Sequence, residues 1–137
     1  MRADLVVDAS VIAKFFFHEE GSEAARDVLT SGAVIVAPAL LLVELASIAV
    51  KKVRTRAATL EQAKSAVVAV GDLIDDFAPI EGLARRAFQL AADTGCSAHD
   101  ATYLALAEMR AAPFLTADDR FIAKVSDFGF GPLVRRL

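Results

Sequence analysis

The chain has 137 residues, a length that suits one domain around one core, and a net charge of −3 at neutral pH. Apolar residues make up 55% of it and mean hydropathy is +0.46, so a face hidden against a partner is expected. Cys96 stands alone and His18 and His99 are the only histidines, which excludes a disulfide framework and a zinc-type ligand set.

Leu5 to Asp8 is short, apolar and β-branched and reads as a strand, with Ser10 as N-cap of a helix over Val11 to Phe17. Ser22 is placed to cap a second helix, Glu23 to Leu29, which Ser31-Gly32 ends. A second strand follows at Val34 to Val36. Pro38 suits the first turn of a helix over Ala39 to Val53 that has almost no polar face and is expected to be buried. The stretch from Ala33 to Val50, broken by Pro38 and Glu44, does not make the roughly 20 uninterrupted apolar residues of a membrane helix. The first residues show no signal-peptide pattern either, so a cytoplasmic protein without membrane contact is expected.

The basic run Lys51, Lys52, Arg54 and Arg56 closes that helix, and Thr59 with Gln62 has the spacing of a capping box for Leu60 to Ile74. Phe77 to Ile80 reads as a third strand and Glu81 to Ala92 as an amphipathic helix stopped near Gly95. Ser97 caps a helix over Ala98 to Arg110, Pro113 ends it, Phe114 to Thr116 is a fourth strand, and Asp118 to Val125 is a short helix. The tail from Phe128 holds two glycines and a proline; its Leu133-Val134 reads either as an edge strand or as loose chain. Strand and helix alternate throughout, which predicts an α/β fold with a parallel sheet of four or five strands flanked by helices on both faces, one domain over residues 1–137.

Four carboxylates sit where an apolar chain has no structural need of them. Asp8 closes the first strand, Glu44 interrupts a greasy helix among Leu40, Leu41, Ser47 and Ile48, Asp100 opens an Ala-rich helix, and Asp118 follows the fourth strand. Each has a plain structural reading. Asp8 suits a turn or a helix cap, Glu44 an ion pair, Asp100 the second half of a capping box with Ser97, and Asp118 or Asp119 a helix start. As a set they are harder to dismiss. Ligands of parallel sheets collect beyond the carboxyl ends of the strands, where Asp8 and Asp118 lie. Gathered carboxylates repel and desolvate badly unless a cation neutralises them, and an oxygen-only donor set points to Mg²⁺ or Mn²⁺. Setting these four aside leaves 14 of the 18 acids against 15 basic residues, so the acidic balance does not exclude RNA.

The chain resembles a PIN domain of the VapC toxin type. The resemblance rests on Val6-Val7-Asp8-Ala9-Ser10-Val11, on Pro38 with Glu44 after it, on Ser97 to Ala107 around Asp100, and on Leu115-Thr116-Ala117-Asp118-Asp119-Arg120-Phe121. It implies a PIN-like three-layer sandwich and a Mg²⁺- or Mn²⁺-dependent endoribonuclease, the toxin of a type II toxin–antitoxin pair, inhibited by a cognate antitoxin. It also implies a homodimer that meets DNA only through the antitoxin. Residue by residue, Asp8, Glu44, Asp100 and Asp118 match the family's acidic positions, catalytic and metal-binding alike. Ser10 and Thr116 match its small hydroxyl positions, which orient carboxylates or water from a second shell; Asp119 is an additional acid assigned to the same shell.

Three other readings compete. An aspartyl-nucleophile phosphohydrolase also starts with a strand ending in Asp, but it wants a second Asp two residues on, where this chain has Ser10. A DNA-directed nuclease usually needs further elements to grip a duplex. A non-catalytic RNA-binding or assembly module would use the same acids as caps and ion pairs, and would need no metal. Lys51 to Arg56 and the pair Arg135-Arg136 are candidate RNA contacts, or simply solvated helix ends and tail.

Overall fold

The computed structural model describes residues 2–137, and its five strands form one parallel sheet in the order β3-β2-β1-β4-β5. In chain order the elements are β1 (Asp4–Val7), α1 (Ala9–Phe16), α2 (Ser22–Leu29), β2 (Val34–Pro38), α3 (Leu40–Arg54) and α4 (Leu60–Leu73). They continue with β3 (Asp76–Ala78), α5 (Ala84–Thr94), α6 (Ala98–Arg110), β4 (Phe114–Thr116), α7 (Asp119–Ser126) and β5 (Val134–Arg136). Leu5, Val6 and Val7 of the central strand are all buried, as are Ile35 to Ala37 and Phe114 to Thr116. Continuous rather than alternating burial is what a parallel sheet covered on both faces requires. The chain runs toward β3 through α1 to α4 and returns past β1 to β4 through α5 and α6. The tail is an edge strand, with Val134 to Arg136 in parallel register with Phe114 to Thr116.

Several local expectations change. Asp8, with extended backbone, is the N-cap of α1, and Ser10 lies inside the helix. Gly21, at φ 89°, is the N-cap of α2, because the tight turn after Glu20 needs a left-handed residue. Ser22 instead accepts from the Glu19 amide and donates to the Phe17 carbonyl. Pro38 ends β2, paired in register with Ala78; it lies on the strand rather than in the helix. β3 and α5 are each displaced from their predicted spans, with a single 3-10 turn at Ile80–Gly82 between them. The capping box of α4 is complete, with the Thr59 side chain on the Gln62 amide and the Gln62 side chain on the Thr59 amide.

The largest correction concerns α3. Only Leu41, Leu45 and Ala49 are buried along it, one residue per turn, while Leu42, Val43 and Val50 are exposed. Its lack of a polar face reflects an apolar surface, not full burial. Together with exposed Leu60, Val67 and Val68 of α4 it borders a groove of about 540 Å³ lined by Val50, Val53, Leu60, Ala63 and Val67 among others.

Candidate active site

The strand order reverses at β1: the chain leaves it toward β2 and later returns on its other side as β4. That switch point opens a crevice at the carboxyl ends of β1 and β4, and Asp8 and Thr116 stand at its two lips. The Asp8 amide donates to the Leu115 carbonyl at 3.1 Å, which fixes the start of the crevice through the sheet itself. Asp8 Oδ2 then accepts two hydroxyls, Ser10 at 2.8 Å and Thr116 at 2.9 Å. Thr116 is buried, and its Oγ1 also accepts from the Asp118 amide at 3.1 Å. One hydroxyl thus ties the two strand ends and the next acid together.

α6 brings the second wall. Ser97 caps it by accepting from the Asp100 amide at 3.1 Å, and no hydrogen bond returns from the Asp100 side chain to the Ser97 amide. Three residues on, on the same side of the helix, the hydroxyl of buried Tyr103 donates to Glu44 Oε1 at 2.6 Å across from α3. Tyr103 stacks on Phe114 with ring centroids 5.2 Å apart, and Phe114 meets Phe121 edge-on at 5.6 Å. This aromatic column spans α6, β4 and α7, the three elements that carry Asp100, Thr116 and Asp118.

The electrostatics of the acids agree with their gathering. Burial pushes the Asp8 carboxyl above its usual range, against the hydrogen bonds of Ser10 and Thr116. Burial raises Glu44 too, opposed by the Tyr103 hydroxyl and reinforced by the charges of Asp8 and Asp100. Asp100 is raised by burial and then by the charge of Asp8, against the Ser97 hydroxyl; Asp118 adds to the rise and the nearby His99 opposes it. Burial and the Glu44 charge together push the Tyr103 phenol up, so it stays a proton donor to that carboxylate. Asp118 is exposed; its Oδ1 accepts from the Phe121 amide at 3.0 Å as N-cap of α7.

Among the described residues every ion pair lies elsewhere: Arg2–Asp75, Lys14 and Lys52 with Glu19, Arg86–Glu108, Arg110 with Asp4 and Asp76, and Arg136–Asp119. Asp8, Glu44, Asp100 and Asp118 have no basic partner in that set. The alternative reading of Glu44 as half of an ion pair finds no cation there among the described residues; a tyrosine hydroxyl meets it instead. Asp119 is held at 2.9 Å by Arg136 of β5 on the exposed surface. The donor set fits a hard divalent cation: oxygen-only, anionic and otherwise uncompensated. Among the described residues no three acidic, histidine or cysteine side chains close around one point at ligand distance, so an ion here would complete its shell with water or substrate oxygens, as Mg²⁺ does.

A family model described as "PIN domain" matches residues 5–126. The chain belongs to the PIN domain family. Solved structures carry the same fold at low identity. A toxin–antitoxin complex from Klebsiella pneumoniae matches with a TM-score of 0.68 at 18% identity, covering 96% of this chain and 95% of that one. PAE2754 from Pyrobaculum aerophilum gives 0.67 at 18% identity, with 89% and 79% covered. VapBC2 from Rickettsia felis, bound to a DNA fragment from its promoter, gives 0.64 at 11% identity, with 97% and 98% covered. No curated protein matches in sequence.

In this PIN domain the residue that sequence reasoning passed over is Tyr103. Its position three residues after Asp100, facing the same way along α6, was the available signal. What no pattern indicated is that its hydroxyl would meet Glu44 on α3, 59 positions away.

Proposed function

We propose that this PIN domain, acting as one unit over residues 1–137, is a Mg²⁺- or Mn²⁺-dependent endoribonuclease, the toxin of a type II toxin–antitoxin pair. The observation that carries the reading is the group Asp8, Glu44 and Asp100, all raised and all without a basic partner, at the switch point of a parallel sheet. Ion pairs would have held these acids below their usual range, as Lys14 and Lys52 hold Glu19. That is the reason for preferring an enzyme to a non-catalytic RNA-binding or assembly module.

Asp8, Asp100 and Asp118, with Glu44, would hold the cation. When bound, Mg²⁺ or Mn²⁺ supplies positive charge that acidifies a water and offsets the growing charge of a phosphodiester under attack. The chain's own residues do the rest. Ser10 and Thr116 fix the rotamer of Asp8, so its Oδ2 lone pairs are committed and the carboxylate cannot swing. Tyr103 holds Glu44 through Oε1, and the raised carboxyl of Glu44 suits a base that takes a proton from the attacking water and orients it. Asp118 is pinned at the head of α7 by its amide, which donates to the Thr116 hydroxyl, and by its carboxylate, which accepts from the Phe121 amide.

The partners follow from surface chemistry and from the named structural neighbours. The apolar faces of α3 and α4 suit an antitoxin segment or a second copy of the chain, and a basic side chain of the antitoxin entering among the acids would take the place of the cation. DNA would be reached only through the antitoxin. Among the described residues no helix is long and apolar enough to cross a membrane, and a cytoplasmic location is proposed.

The test is cleavage of total and transfer RNA by antitoxin-free protein in Mg²⁺ or Mn²⁺, beside a chelator control and Asp100→Asn. Discrete cuts lost in both controls support the nuclease. Absence of cuts from folded protein in either metal overturns it in favour of the binding module.

A further inference from the structure

Beside the acids lies a hollow of about 250 Å³ lined by Ser97, Asp100, Asp118, Arg120, Phe121 and Lys124, with Cys96 at its back. It is smaller than the roughly 300–1,000 Å³ of sites for drug-sized ligands, and so of a scale for a single nucleotide unit rather than a protein element. Two of its linings are carboxylates of the candidate site and two are cations one helical turn apart on α7. Cations and anions lining one hollow would ordinarily pair. Here they do not: among the described residues neither Arg120 nor Lys124 forms an ion pair, and Arg120 makes no side-chain hydrogen bond at all. Lys124 donates to the Gly95 carbonyl at 3.2 Å, a neutral acceptor that ties α7 to the turn before α6 and leaves the ammonium's charge unmatched. Gly95 takes φ 79° as C-cap of α5, so that carbonyl is presented by a left-handed turn.

We propose that Arg120 and Lys124 form a cationic subsite that binds the phosphate of the nucleotide next to the one being cut. The hollow is bipolar: a divalent ion on its Asp100–Asp118 side would neutralise the acids, leaving the α7 side to engage a second backbone phosphate. A phosphodiester chain presents negative groups at each nucleotide, and a site with an ion-holding edge and a cationic edge matches two successive ones. Arg120 offers a planar fork to phosphate oxygens and Lys124 a compact charge. Ser97, whose hydroxyl already accepts from the Asp100 amide, also lines the hollow. This subsite also gives the strand a direction, running from the acids toward α7, and it carries no base specificity.

The inference rests on the nuclease reading, and its test separates the two. Binding of a short labelled single-stranded RNA of mixed sequence is measured against salt concentration in Mg²⁺, with Asp8→Asn as a background that needs no cleavage. Arg120→Ala and Lys124→Ala in that background are each expected to weaken binding alike for unrelated sequences. Each should lower the salt slope by about 0.7, the value for one phosphate contact on a single strand, and the double variant by about twice that. Arg120→Lys and Lys124→Arg should restore most of the slope, which a merely structural role of α7 would not predict. In the cleaving protein the alanine variants should raise KM more than they lower kcat. If the Asp8→Asn background binds RNA and both alanine variants keep its affinity and slope, the subsite is overturned while the nuclease stands; this includes the case in which the two cations serve a protein partner. Absence of RNA binding in the background, with no cleavage by the unaltered chain, overturns both.

Discussion

Two groups of acids in this molecule are partly buried, and they are driven in opposite directions. Glu19 lies beside Lys14 and Lys52; burial pushes its carboxyl up, but the two ammonium groups outweigh burial and hold it below its usual range. For Asp8, Glu44 and Asp100 burial is again the largest cause and no ion pair offsets it; neighbouring carboxylates add to the rise of Glu44 and Asp100, and all three are raised. Burial alone therefore does not distinguish a structural acid from a functional one. The neighbours separate the two cases: two ammonium groups stand beside Glu19, and no ion pair is made by Asp8, Glu44 or Asp100 among the described residues.

The sharpest way to break that contrast is to neutralise one member of the group. Asp8→Asn or Asp100→Asn is expected to abolish RNA cleavage, a loss larger than the roughly 10–100-fold that follows removal of a second-shell partner. The same substitution relieves repulsion, so in chelator Asp100→Asn is expected to melt at a higher temperature than the unaltered chain. A lower melting temperature, with cleavage retained, would return Asp100 to the role of helix cap.

Next in size comes the support of Asp8. Thr116→Val keeps the shape of a buried side chain and removes the hydroxyl that joins Asp8 Oδ2 to the Asp118 amide. Activity or metal affinity should fall by roughly 10–100-fold, read as a higher Mg²⁺ requirement in a cleavage titration. An unchanged requirement would show that the β4 hydroxyl only packs.

Tyr103→Phe should leave the ring stack on Phe114 in place and free Glu44 from its donor. Since that hydroxyl opposes the rise of the Glu44 carboxyl, its loss should raise Glu44 further and move the acid limb of the pH–rate profile upward. An acid limb that stays where it was would exclude Glu44 as the titrating base.

The smallest effect is the pH dependence of stability, where the two groups should carry opposite signs. For Glu19, lowered in the fold, the stabilisation is present above the unfolded value and is lost as pH falls through the folded one. For Asp8, Glu44 and Asp100, raised in the fold, stability in chelator is greatest below the unfolded values and declines as pH rises through the folded ones. Thermal melts of Glu19→Gln should show a loss of about 1 kcal/mol near neutrality, shrinking in acid. Mg²⁺ should flatten the neutral-side decline of the unaltered chain and leave the Glu19 component alone.

Elements governed by local chemistry could be read from the sequence. The capping box at Thr59 and Gln62, the Ser97 cap and the span Ala98–Arg110 depend on hydrogen bonds within one turn or on apolar periodicity. The starts of α1 and α2 misled because Ser10 and Ser22 are good caps in isolation, whereas the structure engages their hydroxyls with Asp8 and with Phe17 and Glu19. For α3 the difficulty was of another kind. An all-apolar helix inside a core and one that displays an apolar face to a partner have the same pattern.

The sequence by itself determined the alternation of strands and helices, the family motifs and the four acids that stand out among apolar neighbours, because these depend on residue type and spacing along the chain. It did not decide which acids would meet. The strand order β3-β2-β1-β4-β5 brings Asp8 beside Thr116 across 108 positions, and the packing of α6 against α3 brings Tyr103 to Glu44 across 59. Those neighbours set the direction of each carboxyl's shift, since charge and desolvation act through space over a few ångströms and take no account of distance along the chain.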